Sequence, residues 1–194
     1  MSKISSVCVY CGSSSQVDEA YKTAAHDLGT EIGRRGLRLV YGGGRVGLMG
    51  ITADAALAAG GEVTGIIPHH IQAMEVDHPG LTELHVVESM HIRKKMMVDR
   101  SDAFVILPGG LGTMDEAFEI ITWRQLGLHD KPIIVVNVKG YWEPFRTLLT
   151  HIRDTGFGRG DSSRLYTFVE SVEEVWPALA DAPEPATADD LHRL

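Results

Sequence analysis

Residues 103–116 read Ala-Phe-Val-Ile-Leu-Pro-Gly-Gly-Leu-Gly-Thr-Met-Asp-Glu. The apolar run that ends at Leu107 predicts a strand, the glycines predict a tight turn, and the apolar periodicity of Ala117–Leu126 predicts a helix. Glycines let backbone N–H groups approach a ligand, and the first turn of a helix adds unpaired donors and partial positive charge. The stretch therefore predicts a phosphate-binding turn followed closely by the carboxylate of Glu116, which suits chemistry on the ribose of a nucleotide.

The same alternation of strand and helix patterns extends along most of the chain. It predicts an α/β fold, in which one parallel sheet is covered by helices on both faces. In such open sheets the ligand lies outside the carboxyl ends of the strands, near the point where the strand order reverses. The predicted strands are Val7–Tyr10, Leu37–Tyr41, Glu62–Ile67, Leu84–Val87, Ala103–Leu107 and Pro132–Val138. The predicted helices are Val17–Arg35, Val46–Ala59, Glu88–Arg100, Thr113–Leu126, Tyr141–Thr155 and Val172–Leu179.

The length, composition and charge of the chain limit the number of domains and the kinds of partner that it can have. A chain of 194 residues with 44% hydrophobic content predicts a single domain, which we place at residues 1–180, followed by a flexible tail at residues 181–194. The 18 basic and 26 acidic residues give a net charge of −8, which argues against nucleic acid as a partner. Because no apolar stretch is long enough to span a bilayer and Met1–Ser6 lacks the pattern of a signal peptide, we expect a cytoplasmic protein without a membrane partner.

Cysteines and histidines raise the question of a metal or redox site. The only cysteines, Cys8 and Cys11, have C-x-x-C spacing, but positions three apart on a buried strand face opposite sides of the sheet. The histidines, among them His69, His70 and His78, follow no known ligand spacing. We therefore expect buried structural cysteines and no metal site.

A second glycine cluster follows the second predicted strand. Gly42, Gly44 and Gly47 match the dinucleotide pattern G-x-G-x-x-G, and Glu62 lies 20 residues beyond Gly42. That pattern normally occupies the first strand-helix turn, whereas here it occupies the second. A tight turn serving a smaller nucleotide, with Gly43 among its ligand contacts, is the interpretation we favour over NAD(P) binding.

Three further features each have a structural and a functional interpretation. Gly12 and Ser13, in the turn after the first strand, either contact a ligand or belong to a segment whose serines cap the next helix. The spacing of Thr113 and Glu116 also fits a capping box, in which nothing catalytic follows. Arg93 and Lys94 flank an apolar helical stripe, and they either reach over the sheet edge or are solvated and pair with Glu88 and Asp99.

Three segments together resemble the LOG ("Lonely guy") family: Ser89–Lys94, Pro108–Glu116 and Ile121–His129. The likeness extends from Val7 to about Val169, and its core signature is P-G-G-x-G-T-x-x-E with an upstream M-x-x-R-K. Members of this family are cytokinin riboside 5′-monophosphate phosphoribohydrolases, often labelled lysine decarboxylases. The resemblance implies a Rossmann-like fold, a homodimer, and hydrolysis of the N-glycosidic bond of a nucleoside 5′-monophosphate to a free adenine-type base and ribose 5-phosphate.

The resemblance also assigns roles to individual residues. It implies that Arg93 and Glu116 are the catalytic pair, with Lys94 beside them in the substrate site. Leu111 stands where the family commonly has tyrosine, and Met114-Asp115 replaces Leu-Glu, so base or sugar contacts could differ. The further substrate-binding positions are Gly109, Gly110, Gly112, Thr113, Thr122 and, matched by spacing in a variable-looking loop, Glu75.

This chemistry explains the residue types. Breaking a ribosyl C–N bond builds positive charge on the sugar, so the carboxylate of Glu116 would stabilise the transition state or orient the attacking water. The permanently charged Arg93 suits either the phosphate or the departing base. No metal or organic cofactor is required. The alternative is a non-catalytic carrier of a nucleotide or of the molybdenum cofactor, because one fold hosts unrelated functions.

Overall fold

The computed structural model describes residues 4–72, 78–158 and 164–182. In these ranges seven strands form one parallel sheet in the order β4-β3-β2-β1-β5-β6-β7. The strands are β1 (Ser6–Tyr10), β2 (Arg38–Tyr41), β3 (Glu62–Pro68), β4 (Glu83–Val87), β5 (Ala103–Ile106), β6 (Ile133–Val136) and β7 (Thr167–Val169). The predicted α/β fold is confirmed, although β7 was not predicted because three residues are too few for a periodic signal.

Helices connect the strands. They are α1 (Glu19–Arg34), α2 (Gly47–Ala58), α3 (His69–Gln72), α4 (Met90–Asp99), α5 (Leu111–Gln125), α6 (Glu143–Asp154) and α7 (Val175–Ala180), with a 3-10 helix at Val138–Gly140. The first helix begins two residues later than predicted because the side chain of Asp18 accepts the N–H of Ala20 at 2.9 Å and caps it. The interpretation of Ser13–Ser15 as the cap is therefore wrong. None of the described helices combines the length and apolar character that crossing a bilayer requires.

The core consists of two apolar layers, one on each face of the sheet. The helices α1, α2 and α7 cover one face, and α4, α5 and α6 cover the other. Cys8 is buried in one layer and Cys11 in the other, and both are free thiols. The prediction of buried structural cysteines is thus confirmed. The helices on the first face approach closely because α1 carries glycine there, and a Cβ on Gly29 would lie 2.3 Å from the carbonyl oxygen of Thr52.

The strand order reverses beside β1. Its residue Val7 pairs with Leu39 of β2 on one side and with Ala103 of β5 on the other. The chain runs outward from β1 to β4, then crosses back to β5, and continues outward to β7. The turns that follow β1 and β5 therefore lie side by side at the carboxyl edge, at the position where open α/β sheets bind ligands.

Candidate active site

Three glycine turns meet at the carboxyl edge of the sheet. The N–H of Gly12, after β1, donates to the carbonyl of Pro108, after β5, at 3.0 Å. The carbonyl of Gly12 in turn accepts the N–H of Leu48, in the first turn of α2, at 3.0 Å. Gly43, in the turn after β2, has a left-handed φ of +79°. These bonds join turns from distant parts of the chain into one surface.

The turn after β5 is shaped by glycines and open to solvent. A Cβ on Gly109 would lie 2.1 Å from Oγ1 of Thr113, so the backbone can approach that side chain only without one. A Cβ on Gly110 or on Gly112 would have no atom within 4 Å. The buried Thr113 thus supports one side of the turn, and the other side is free to receive a ligand.

The capping-box interpretation of Glu116 is wrong. Helix α5 begins at Leu111, two residues before the predicted start, with Gly110 as its N-cap and no side-chain capping bond. Thr113 is therefore inside the helix, where its side chain cannot act as the N-cap partner that a capping box requires. The carboxylate of Glu116 lies in the second turn of α5 and has no capping role.

Arg93 and Glu116 form a largely buried ion pair. Nη2 of Arg93 lies 3.7 Å from Oε1 of Glu116, and the two side chains are only 11% and 10% exposed. Nε of Arg93 donates to the carbonyl of Ile66 at 3.1 Å, which fixes the guanidinium against the end of β3. The interpretation that Arg93 is solvated or pairs with Glu88 or Asp99 is therefore wrong.

Burial has the largest effect on the pKa of Glu116. Desolvation raises its pKa to about 7, and the attraction of Arg93 opposes that rise without cancelling it. A carboxyl with a pKa near neutrality is unusual, and strongly perturbed groups in clefts cluster at functional sites. Near pH 7 this group can gain or lose a proton.

Lys94 points to the flank of α5 rather than to the turn after β5. Its Nζ lies 3.1 Å from Oδ2 of Asp115 and 3.0 Å from Oε1 of Glu119. Burial by itself would lower the pKa of Lys94, but hydrogen bonds to Glu119 and Asp115 together outweigh it and raise that pKa. The amine is therefore held protonated next to the Arg93–Glu116 pair, and it ties α4 to α5.

Two residues at this edge were not assigned a site role from the sequence. The hydroxyl of Tyr141, which follows β6, donates to the carbonyl of Gly109 at 2.7 Å. The backbone N–H of His78 donates to the carbonyl of Gly43 at 3.3 Å, and its Nε2 lies 2.8 Å from Oδ1 of Asp54. Neither residue belongs to a motif. The sequence could have indicated them only by their places in the chain, since Tyr141 follows β6 and His78 lies between β3 and β4.

The structure contradicts the dinucleotide interpretation of the second glycine cluster. The fingerprint needs an acidic side chain near the ribose, at the carboxyl edge. Glu62 instead begins β3 at the opposite edge and pairs with Arg38 at 2.6 Å. Gly47 of this cluster serves packing, because a Cβ on it would lie 2.3 Å from the backbone of Ser13.

Most of the remaining predicted site residues lie together, and Thr122 does not. The turns bring together Gly12, Ser13, Gly43, Gly109, Gly110, Gly112 and Thr113 at one edge of the sheet. Thr122 is exposed on α5, six residues beyond Glu116 and so about 9 Å further along the helix axis. Glu75 lies outside the described residues. Within the described ranges, no group of three or more histidine, cysteine, aspartate or glutamate side chains is arranged to hold a metal ion.

Known proteins resemble this chain over most of its length. A family model described as "Possible lysine decarboxylase" matches residues 49–179. A cytokinin riboside 5′-monophosphate phosphoribohydrolase from Rhodococcoides fascians is 49% identical over 153 residues, which are 78% of this chain and 77% of the relative. The enzyme of the same name, LOG1, from Arabidopsis thaliana is 41% identical over 180 residues, which are 93% of this chain and 84% of the relative.

Solved structures share the fold at lower identity. The molybdenum cofactor carrier protein of Chlamydomonas reinhardtii superposes with a TM-score of 0.69 at 18% identity, covering 93% of this chain and 98% of the carrier. A structural similarity at 18% identity shows a shared fold and does not show a shared function. The family match and the two relatives cover most of the sequence at much higher identity, and on that basis the chain belongs to the LOG family of cytokinin riboside 5′-monophosphate phosphoribohydrolases.

Proposed function

We propose that this protein hydrolyses the N-glycosidic bond of adenosine 5′-monophosphates, including N6-modified ones, and releases the free base and ribose 5-phosphate. The observation that carries the proposal is the buried Arg93–Glu116 pair beside an open glycine turn. The names of the relatives support the same reaction, because they are phosphoribohydrolases of nucleoside monophosphates.

The turn after β5 would hold the substrate phosphate. The first N–H groups of α5 have no partner within the helix, and the helix dipole places partial positive charge at the same end. Because no atom lies within 4 Å of a Cβ position on Gly110 or Gly112, a phosphate can come close to this backbone. Phosphate held there fixes the ribose next to the second turn of α5.

Glu116 would act on the sugar. As the C–N bond breaks, the ribose gains oxocarbenium character, and a buried carboxylate lowers the barrier because it interacts more strongly with that charge than with the neutral ground state. The low polarity that raises the pKa of Glu116 also strengthens this interaction. Water then adds to the sugar carbon as the C–N bond breaks, and one proton of that water ends on the departing base, which leaves as the neutral free base.

Arg93 would balance negative charge during the reaction. Arginine supplies a positive charge on a planar guanidinium, and here the hydrogen bond to Ile66 holds that group in place. In the free protein it faces Glu116 at 3.7 Å, which is longer than a direct hydrogen bond. The guanidinium can thus interact with a phosphate or with the leaving base, and still lie close to the carboxylate.

Product chromatography tests the proposal directly. The purified protein is incubated separately with AMP, with N6-isopentenyl-AMP and with the two matching nucleosides. Release of base from the monophosphates, with little or none from the nucleosides, is the expected result, and the ratio of the two rates ranks the two bases. Tight nucleotide binding with no base released would overturn the proposal and favour a carrier.

A lysine decarboxylase is less compatible with the site. Decarboxylation with pyridoxal phosphate needs a lysine that forms a Schiff base with the cofactor, and that amine must lose its proton. Lys94 is the buried lysine beside the Arg93–Glu116 pair, and two carboxylates hold it in the protonated form. An absorption spectrum of the purified protein beyond the aromatic region distinguishes the two activities.

We also propose a homodimer in the cytoplasm, with residues 1–180 as one domain. The homodimer is supported by the family, and the domain by the single sheet of the described residues. Light scattering after size exclusion tests the assembly, and limited proteolysis tests the domain boundary. The predicted flexible tail falls almost entirely outside the described residues.

A further inference from the structure

Three consecutive backbone carbonyls of the turn after β5, those of residues 108–110, are held by hydrogen bonds. The carbonyl of Pro108 accepts the N–H of Gly12 at 3.0 Å, and that of Gly110 accepts the N–H of Met114 at 3.0 Å. The carbonyl between them, on Gly109, accepts the hydroxyl of Tyr141 at 2.7 Å. Of these three carbonyls, that of Gly109 alone is held by a side chain.

Holding these carbonyls also orients the amide groups. In a trans peptide the N–H points away from the carbonyl of the same peptide group, and no described peptide bond is cis. The carbonyl of Gly109 and the N–H of Gly110 belong to one peptide group. When Tyr141 binds that carbonyl, the N–H of Gly110 points to the opposite side of the turn.

Without Tyr141, little else would fix this peptide group. Glycine has no side chain to restrict its backbone, and two glycines in a row can readily rotate the plane between them. A rotated Gly109–Gly110 peptide would turn a carbonyl oxygen toward a bound phosphate, and the two would repel. The orientation therefore decides whether the turn attracts or repels an anion.

Tyr141 itself is well positioned for this contact. The next residue, Trp142, donates its backbone N–H to Oδ1 of the buried Asn137 at 2.7 Å, which fixes the chain after β6. The ring of Tyr141 packs edge-on against Tyr21 at 5.5 Å and against Trp142 at 4.9 Å between centroids. The hydroxyl therefore has a defined position before any ligand binds.

From this geometry we propose that Tyr141 is a positioning residue that sets the selectivity of the site for a 5′-phosphate. It acts through the Gly109–Gly110 peptide and need not touch the substrate. The inference rests on the proposed function, because it takes the turn after β5 as the phosphate site. Tyr141 lies in the segment between β6 and α6. A residue that follows a different strand would therefore contribute to the choice of substrate.

The test compares Tyr141→Phe with a matched control, Tyr21→Phe. Both variants lose one hydroxyl from the same aromatic cluster, but only the first loses the bond to Gly109. Losing one neutral hydrogen bond corresponds to about a threefold to tenfold change. We expect Tyr141→Phe to raise the KM for AMP by that factor, with kcat, the residual rate on adenosine and the melting temperature unchanged. Tyr21→Phe should match the wild type.

Calorimetric binding of inorganic phosphate separates this inference from the proposed function, because it needs no turnover. Weaker phosphate binding by Tyr141→Phe supports the positioning role even if the wild type releases no base. Unchanged phosphate binding and an unchanged KM for AMP in Tyr141→Phe would overturn it, even if the wild type is an active hydrolase. Equal losses with AMP and adenosine, together with a lower melting temperature, would also overturn it, since they would indicate a general structural role.

Discussion

The guanidinium of Arg93 occupies the space in which a side chain on Gly42 would lie. A Cβ on Gly42 would be 2.1 Å from Nη2 of Arg93, the same nitrogen that faces Glu116. Gly42 follows β2 and Arg93 lies on α4, so the two meet only in the folded sheet. The absence of a side chain at position 42 therefore helps to set the distance between the cation and the carboxylate.

Substituting Gly42 by alanine should impair activity more than stability. The new methyl group would displace the far end of a flexible side chain, and Gly42 does not have a left-handed φ that would add backbone strain. We expect kcat/KM to fall by about tenfold or more, since small displacements in an active site are costly. Steady-state kinetics and thermal unfolding measure the two effects. The control is Gly80→Ala, whose Cβ would make an ordinary contact at 3.4 Å; equal rates for the two variants would contradict the prediction.

Glu116→Gln should remove base release while leaving AMP binding largely intact. Gln is close in shape but carries no charge, so the stabilisation of a cationic sugar is lost. We expect turnover to fall by on the order of a hundredfold or more, measured by chromatography of the released base. Asp99→Asn neutralises an exposed carboxylate on α4 and is the control. A Glu116→Gln enzyme with more than half of the wild-type rate would refute the role of this carboxylate.

Activity should rise with pH through neutrality. The proposed role needs ionised Glu116, and burial raises the pKa of this group to about 7, so the active fraction grows as pH increases from 6 to 8. The kcat/KM profile reports groups of the free enzyme and free substrate, including the second ionisation of a phosphate near pH 6. An NMR titration of the side-chain carboxyls, assigned by comparison with Glu116→Gln, locates the step of Glu116 itself. An activity that declines across this range would indicate that Glu116 acts in its protonated form.

Burial of Glu116 should also lower stability as pH rises. The folded state holds this proton up to about pH 7, whereas an unfolded glutamate releases it near its usual pKa of 4.5. Because the native state binds more protons between these values, the free energy of unfolding falls with increasing pH, by about 3 kcal/mol in total. Denaturant unfolding of the wild type and Glu116→Gln measures this. The stability of the variant relative to the wild type should increase between pH 4.5 and 7.5, and a constant difference would exclude the shift.

The two cysteines should be inert in the folded protein. Burial raises the pKa of both the Cys8 and the Cys11 thiols well above the usual range, so neither forms a thiolate near neutral pH. A thiol reagent should modify neither residue in native buffer and both in denaturant, as counted by mass spectrometry. Rapid labelling of one cysteine in the native protein would instead indicate local opening of β1.

Sequence periodicity was sufficient for β1 to β6. Runs such as Ala103–Leu107 are apolar on both sides because helices cover both faces, and the structure has a strand in each predicted place. Element ends were less predictable: α1 begins at Glu19 because Asp18, rather than a serine, supplies the cap. The three-residue β7 was missed because its pairing with β6 depends on tertiary context.

The candidate site was predictable where a motif carried it, as at Pro108–Glu116. The contacts between different helices, strands and turns could not be predicted from the sequence. Nothing in the order of residues indicates that Gly42 makes room for Arg93, or that Tyr141 reaches Gly109, because each contact depends on how neighbouring strands align. The pairing of Lys94 with Asp115 and Glu119 likewise required the packing of α4 on α5.

The reversal of strand order beside β1 has a consequence for how the protein is made. The hydrogen bond between Gly12 and Pro108 joins residues that are 96 positions apart, in the turns that follow β1 and β5, two strands that pair directly. A ribosome must therefore synthesise more than half of the chain before the turn after β5 can form beside Gly12. Sequence-distant pairings of this kind form late and slowly. An early chain fragment could build β1 to β4 with their helices, but the edge formed by the turns after β1 and β5 would be complete only once the second half of the chain has been made.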